Sequence, residues 1–357
     1  MLGKAAEGEE ATMTVRPGME IDPVRLDAYL AEHVADYRGP LMIRQFKGGQ
    51  SNPTYLLKTP ERSYVLRRKP PGPLLASAHA VEREFRVVSA LSEHTSLPVA
   101  RTYVLCTDNE VVGTWFYVME RIEGRIFWDP AFPELRRDER AEYFDAMNSV
   151  LAMLHMVDPA EVGLGDFGKP AGYLVRQIRR WSDQYRADKV AGRVLAMERL
   201  IEWLPQNIPE SQQRPAVVHG DFRSDNLIFH PAEPRVLAIL DWELSTIGDP
   251  LADFAYHLLM YRMPTLAFPG LLRLDLPALN IPTEAQYVAS YCARTKRDGI
   301  PNLNFYLTFC MFRLAGIFHG IRGRIERGTA VSAHARRYAS HVEEVAELAW
   351  QQVSGAA

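Results

Sequence analysis

Val217–Val218–His219–Gly220–Asp221–Phe222–Arg223–Ser224–Asp225–Asn226, followed at once by the apolar run Leu227–Ile228–Phe229, is the stretch on which the fold turns. A short rigid loop of this form presents one carboxylate, Asp221, toward an incoming hydroxyl whose proton it can accept as a bond forms. Asn226 lies far enough along to face elsewhere, and its amide oxygen suits a hard cation such as Mg²⁺. Downstream, Val236–Leu237–Ala238–Ile239–Leu240 reads as a buried strand ending directly in Asp241–Trp242. A carboxylate at a strand end is well placed to be a second metal ligand.

The His-x-Asp to Asn spacing matches the catalytic loop of kinases, and Asp241 stands where kinases carry the Asp of Asp-Phe-Gly, with Trp242–Glu243 replacing Phe-Gly. Singly, these residues have plainer readings: Asp221 as a cap, Asn226 as a turn residue. Together they carry the chemistry. His219 is expected to brace the loop rather than act as a base. Asp249 reads as the cap of a helix beginning near Pro250, with Asp253 supporting the loop from the same segment. Arg223 and Asp225 stay open between a motif role and a solvated one.

Upstream of the loop the sequence changes character. Residues to about Glu20 read as a mobile tail. Asp22–Pro23 starts a helix whose apolar face is Val24, Tyr29, Leu30 and Val34. Leu41–Phe46, Thr54–Thr59, Ser63–Arg68, Thr102–Thr107 and Val111–Arg121 read as strands, the last two as a hairpin around Asp108–Asn109. Ala76–Leu91 is an inserted helix. From Glu139 on, helical spacing dominates: Phe144, Met147, Leu151 and Leu154 form one stripe. Arg193–Trp203, Leu251–Tyr261, Glu284–Thr295, Phe305–Ile321 and Ala333–Gln352 are further helices. The expectation is an α+β, two-lobed protein-kinase-like fold: a tail over 1–20, a small β-rich lobe over 21–122, and a helical lobe over 123–357.

The small lobe carries a second set of candidates. Lys47–Gly48–Gly49–Gln50–Ser51–Asn52 joins two strands. Gly48 and Gly49 permit close backbone approach to a phosphate, and Ser51 adds a hydroxyl; a plain hairpin turn is the alternative. In the next strand, Tyr64–Val65–Leu66–Arg67, Arg67 stands where kinases place a phosphate-binding lysine. A guanidinium can fork onto phosphate and carboxylate oxygens alike. Period-two alternation puts Lys69 on the same face, so it is the alternative.

The formal net charge is −3, which argues against nucleic-acid binding. Cys106, Cys292 and Cys310 are far apart, with neither metal nor disulfide spacing, and read as reduced thiols of a cytoplasmic protein. No secretory signal or membrane span is visible; Phe305–Ile321 is interrupted by Arg313 and His319.

His219–Gly220–Asp221–Phe222–Arg223–Ser224–Asp225–Asn226, Ile239–Leu240–Asp241–Trp242 and Gly248–Asp249–Pro250–Leu251–Ala252–Asp253 together resemble the aminoglycoside phosphotransferase family. Gly48–Tyr55 and Arg67–Gly72 are similar to the branch found beside acyl-CoA dehydrogenase domains. The likeness runs over nearly the whole chain after the tail. It implies an ATP- and Mg²⁺-dependent kinase with a hydroxyl acceptor, Asp221 as base, and Asn226 and Asp241 on the metal. Glu84, with Glu82 as second choice, would partner the phosphate-binding cation. Backbone groups of Glu120 and Ile122 would hold adenine. The resemblance also implies a functional link to acyl-CoA dehydrogenase and an acceptor such as a hydroxyacyl-CoA or hydroxy acid. Arg262, Arg313, Arg322 and Arg324 beside Tyr256, His257, Tyr261 and His319 suit such an anion better than a polycation. A non-catalytic nucleotide-binding pseudokinase is the alternative.

Overall fold

The computed structural model describes residues 11–47, 52–72, 79–210, 214–264, 270–329 and 335–354. Along the chain the elements are β1 (Thr12–Met13), α1 (Pro23–His33), β2 (Met42–Phe46), β3 (Thr54–Lys58), β4 (Ser63–Arg68), α2 (Val81–His94), β5 (Thr102–Cys106), α3 (Asn109–Val112) and β6 (Phe116–Glu120). Then follow α4 (Arg140–Met156), α5 (Tyr173–Ala187), α6 (Leu195–Gln206), β7 (Ala216–Val218), β8 (Leu227–Phe229), β9 (Val236–Ile239) and β10 (Thr246–Gly248). The rest is helical: α7 (Pro250–Arg262), α8 (Glu284–Arg294), α9 (Leu303–Glu326), α10 (Ala335–Ala339) and α11 (Val342–Ser354). They form two compact units.

The first unit comprises residues up to Phe127 with Val162–Leu164 and Asp225–Ser245. Its sheet has six strands in the order β1-β2-β3-β4-β6-β5, and every pairing is antiparallel. The five expected strands are all present. The sixth, β1, pairs with β2 and lies within the segment read as a tail. Two residues carry too little periodicity to be seen in sequence. Asn109–Val112 forms a helical turn where a hairpin tip was expected, because Asp108 caps it by accepting from Glu110 N.

Strand alternation divides the sheet's residues between two layers. Tyr55, Leu57, Tyr64, Leu66, Phe116 and Val118 face a core that contains Leu26 and Leu30 of α1. Asp22 accepts from Val24 N at 2.9 Å and starts α1 as expected. Val24 itself is 76% exposed, and Leu26 takes its place beside the expected Leu30 on the apolar face. The alternate residues of β4 and β6 face α2: the Tyr117 ring meets Phe85, and its hydroxyl donates to Glu84. The inserted helix runs Val81–His94: His79 and Ala80, expected to be helical, are not, and residues 73–78 lie outside the described residues.

β8 and β9 pair as a hairpin, and it joins the first unit rather than the helical segment expected over 123–357, for a visible reason. Arg125 and Phe229 exchange both backbone hydrogen bonds at 2.8 Å. Gly124 makes this possible: a Cβ there would stand 2.2 Å from Phe229 O. Ile239 N–H donates to Pro98 O at 2.9 Å on the other strand of the hairpin.

The second unit comprises Trp128–Glu161, Gly165–Ser224 and the chain from Thr246 onward. Every residue of α7 from Pro250 to Tyr261 is buried, which makes it the central helix. α9 extends the expected Phe305–Ile321 helix at both ends and is buried from Phe305 through Gly316. The expected helix over Ala333–Gln352 is divided into α10 and α11. α5 was not foreseen in sequence. Leu174, Ile178, Ser182 and Tyr185 are buried at helical spacing on one face and the charged residues lie on the other, a pattern that could have been read. β7 pairs antiparallel with β10, which delivers the chain from Val218 directly into the His219 loop. Among the described residues no helix is long and apolar enough to cross a membrane. The three cysteines are buried and free.

Candidate functional site

In the first unit, an ion-pair chain runs Glu84–Arg67–Asp241. Arg67 lies on the face of β4 that looks toward α2, as alternation requires. Its Nε is 2.7 Å from Glu84 Oε2, and its Nη2 is 2.7 Å from Asp241 Oδ1 and 3.9 Å from Glu243 Oε2. Lys69 is on the same face. It pairs with Glu82 at 2.9 Å and sits 4.2 Å from the centre of the Trp115 ring.

Glu84 is 2% exposed and also accepts from Asn52 Nδ2 at 2.7 Å and Tyr117 OH at 3.1 Å. Burial pushes its pKa up, and Arg67 works against that shift. A buried carboxylate held by a cation and two donors is a rigid anchor. It fixes the guanidinium while leaving part of it turned to Asp241. Asn52 had not been singled out in sequence; the signal was its place next to the strand.

Asp241 ends the β9 segment with φ +64°, in the left-handed region that Asp tolerates better than most residues. Trp242 locks the turn: it is buried, and its indole N–H donates to Ile239 O at 3.0 Å. Leu240 N–H donates to Asn226 O at 2.8 Å, which ties the residue before Asp241 to Asn226. The Asp241 side chain is 36% exposed. Asp241 and Asn226 thus offer oxygen donors of the kind Mg²⁺ takes. Nucleotide-bound Mg²⁺ uses one or two carboxylates and fills its shell with phosphates and water. A site of that kind does not require three acidic or imidazole ligands, and no such group occurs among the described residues.

In the second unit, the loop after β7 is held from below by Asp253 of α7. His219 N–H donates to Asp253 Oδ2 at 2.7 Å and Gly220 N–H to Oδ1 at 2.8 Å. His155 Nε2 donates to Asp253 Oδ2 at 3.1 Å. Burial alone would raise the Asp253 pKa, but His155, His219 and the backbone donors hold it below the usual range. Asp221 N–H donates to His219 Nδ1 at 3.2 Å, so His219 braces the loop. Asp249 caps α7 by accepting from Leu251 N at 2.9 Å, and also accepts from Tyr306 OH.

The Asp221 side chain is 23% exposed, with Arg223 Nε 3.6 Å away. Tyr256 lies against it: burial and then the Asp221 carboxylate raise the phenol's pKa. Arg313 donates from Nη2 to Gly220 O at 2.7 Å.

The other late arginines do not gather there. Arg262 makes a two-bond fork with Glu284, at 2.6 Å for each bond, and Arg322 pairs with Glu343 and donates to Ala339 O. They are structural pairs between helices, and Arg324 is exposed, which leaves Arg313 as the buried member of the expected set. Sequence spacing on separate helices could not reveal these partners. His319 bonds Gly192 O. Gly48, Gly49 and Ser51 lie outside the described residues. Glu120 ends β6, its N–H already donated to Arg101 O at 2.7 Å, and Ile122 follows it.

His257 gives the loop's support a pH dependence. Its Nδ1–H donates to Phe222 O at 3.2 Å, and its Nε2 accepts from Tyr287 OH at 2.7 Å. Burial pushes its pKa down from 6.5 to about 4. The unfolded chain therefore binds this proton first, and stability present above pH 6.5 is lost as pH falls toward about 4. The expected loss from this group is on the order of 3 kcal/mol. Urea denaturation of wild type and His257→Gln across that window checks it: the variant should show the flatter pH dependence.

The family model described as "Phosphotransferase enzyme family" matches residues 42–285. Acyl-CoA dehydrogenase family member 10 of Mus musculus is 46% identical over 347 residues, which cover 96% of this chain and 32% of that protein. Acyl-CoA dehydrogenase family member 11 of Rattus norvegicus is 39% identical over 355 residues, covering 95% of this chain and 44% of that protein. The chain thus spans less than half the length of these curated relatives. A crystal structure of a provisionally named aminoglycoside phosphotransferase from Ralstonia eutropha has a TM-score of 0.87 and 46% identity, covering 93% of this chain and 98% of that one.

Proposed function

The chain belongs to the phosphotransferase enzyme family, and from that premise we propose that it transfers the γ-phosphoryl group of ATP to a hydroxyl of a small molecule. The observation that carries this reading is the Glu84–Arg67–Asp241 chain. A guanidinium anchored by a buried carboxylate and turned toward a second, more exposed carboxylate is suited to phosphate oxygens beside a metal.

Each residue then has a role. Arg67 binds phosphate oxygens while Glu84 holds it in place. Asp241 and Asn226 would hold Mg²⁺, which when bound would neutralise charge on the phosphates during transfer. Asp221 orients the acceptor hydroxyl and accepts its proton as the new P–O bond forms and the bond to ADP breaks. Gly48, Gly49 and Ser51 contact phosphates. The Glu120 carbonyl and Ile122 N–H hold adenine, since the Glu120 N–H is committed elsewhere.

The acceptor we propose is a hydroxyacyl-CoA or hydroxy acid. The support is the pair of relatives named for acyl-CoA dehydrogenases, an association by domain partnership rather than by mechanism. A functional link to such a dehydrogenase belongs to the same proposal.

Asp241→Ala tests the metal role. Calorimetric titration with Mg·ATP is expected to show a large loss of affinity. Metal-free ATP should bind as well as to wild type, or better, because Arg67 is released from its carboxylate. Equal losses with and without Mg²⁺ would remove Asp241 from the metal site.

A further inference from the structure

Gly220 has φ +85°, and as a glycine it does not by itself fix the planes of its two peptides. Hydrogen bonds do so instead. The peptide entering Gly220 is fixed by its N–H on Asp253 Oδ1. The peptide leaving it, which carries Asp221, is fixed at both ends. Its carbonyl oxygen accepts from Arg313 Nη2 at 2.7 Å, and its N–H donates to His219 Nδ1 at 3.2 Å.

Arg313 comes from the middle of α9, far from the loop in sequence, and is only 9% exposed. Its guanidinium carbon lies 4.8 Å from the centre of the Tyr256 ring and 5.8 Å from that of Trp181. Its guanidinium meets a carbonyl and two aromatic faces, and the Tyr256 phenol and the Asp221 carboxylate favour its charge. A buried cation is costly, and an apolar residue of similar volume generally fills space at no loss of stability. Packing alone therefore gives no reason for an arginine here. A charge-assisted bond to one carbonyl does, because it is short, directional and stronger than a neutral one.

We propose that Arg313 is the positioning residue for Asp221, setting the plane of the Gly220–Asp221 peptide and, through the Tyr256 ring, the direction of the Asp221 carboxylate. It rests on the reading of Asp221 as the group that accepts the hydroxyl proton. In this role Arg313 acts through the Gly220 carbonyl and the Tyr256 ring. A carboxylate misplaced by about 1 Å loses on the order of 10²-fold in rate, so a clamp on its peptide bears on turnover and not on ATP affinity.

The test uses the full chain with Arg313→Met, Arg313→Lys and Asp221→Asn. Turnover is followed as ADP release with ATP, Mg²⁺ and the fastest acceptor of a panel of hydroxy acids, hydroxyacyl-CoAs, amino alcohols and aminoglycosides, or with water where none exceeds hydrolysis. Amide hydrogen exchange of the segment over 216–224 is followed in parallel and needs no acceptor. Arg313→Met is expected to lower kcat by roughly 10- to 100-fold with KM for ATP within about twofold. Exchange should quicken in that segment and stay unchanged in α7. Arg313→Lys keeps the charge and should recover part of kcat. The inference is overturned if Arg313→Met leaves kcat and loop exchange at wild-type values, or if exchange quickens throughout the second unit, which would mark a structural role only. Wild-type turnover by Asp221→Asn would instead sink the reading of Asp221, whatever Arg313 does.

Discussion

Asp221→Asn is expected to bind ATP like wild type and to lose phosphoryl transfer by at least ~10², the low end for removing a general base. Asn is nearly isosteric with Asp and still hydrogen-bonds, but its amide does not accept the hydroxyl proton. The fold should survive. The bonds that hold the loop use the backbone of His219, Gly220 and Asp221 and the side chains of Asp253, Arg313 and His219. None of these needs the Asp221 carboxylate. Nucleotide affinity by titration and rate by ADP release separate the two effects, and a variant that turns over like wild type takes Asp221 out of the mechanism.

Asp253→Ala has the largest expected effect on stability. The change removes the acceptor for two buried N–H groups, those of His219 and Gly220, and for His155. A buried donor left without a partner costs about 1–3 kcal/mol. Three donors share this one carboxylate and their costs overlap, so a total loss of about 3–5 kcal/mol is expected, set against a whole-domain stability of roughly 5–15 kcal/mol. Asp253→Asn should lose less, since one amide oxygen still accepts. Urea denaturation measures both. A loss below about 1 kcal/mol for the alanine variant would mean that water or a neighbour replaces the carboxylate.

The parts of this site legible in the sequence are those encoded locally. The spacing from His219 to Asn226 places a carboxylate and an amide on one short loop. The period of two in β4 sets Arg67 and Lys69 on the same face. Period alone could not choose between them. What separates them is depth: Arg67 meets the buried Glu84, whereas Lys69 meets the half-exposed Glu82 and a tryptophan ring.

Long-range partners were not legible. Glu284 and Glu343 neutralise Arg262 and Arg322 across helix contacts that no spacing announces. Arg313 sits in an apolar run that reads as core, and its polar contact is with a backbone carbonyl, which leaves no mark in sequence. β1 is two residues long and left no pattern to read, whereas the i, i+4, i+8 spacing of Leu174, Ile178 and Ser182 in α5 was there to be read. The placing of Asp225–Ser245 in the first unit follows from Gly124 lying under Phe229 O, a close approach that one glycine permits and many glycines never make.

The central claim is transfer of a phosphoryl group from ATP to a hydroxyl with Asp221 as the base. The direct measurement is incubation of the wild-type chain and Asp221→Asn with ATP, Mg²⁺ and each acceptor of the panel, with phosphorylated products identified by mass spectrometry. The account predicts a phosphate ester of at least one hydroxyl acceptor, formed by the wild type and reduced at least ~10²-fold in the variant. ATP binding by both chains with no phosphorylated acceptor from either would contradict it and leave a nucleotide-binding module.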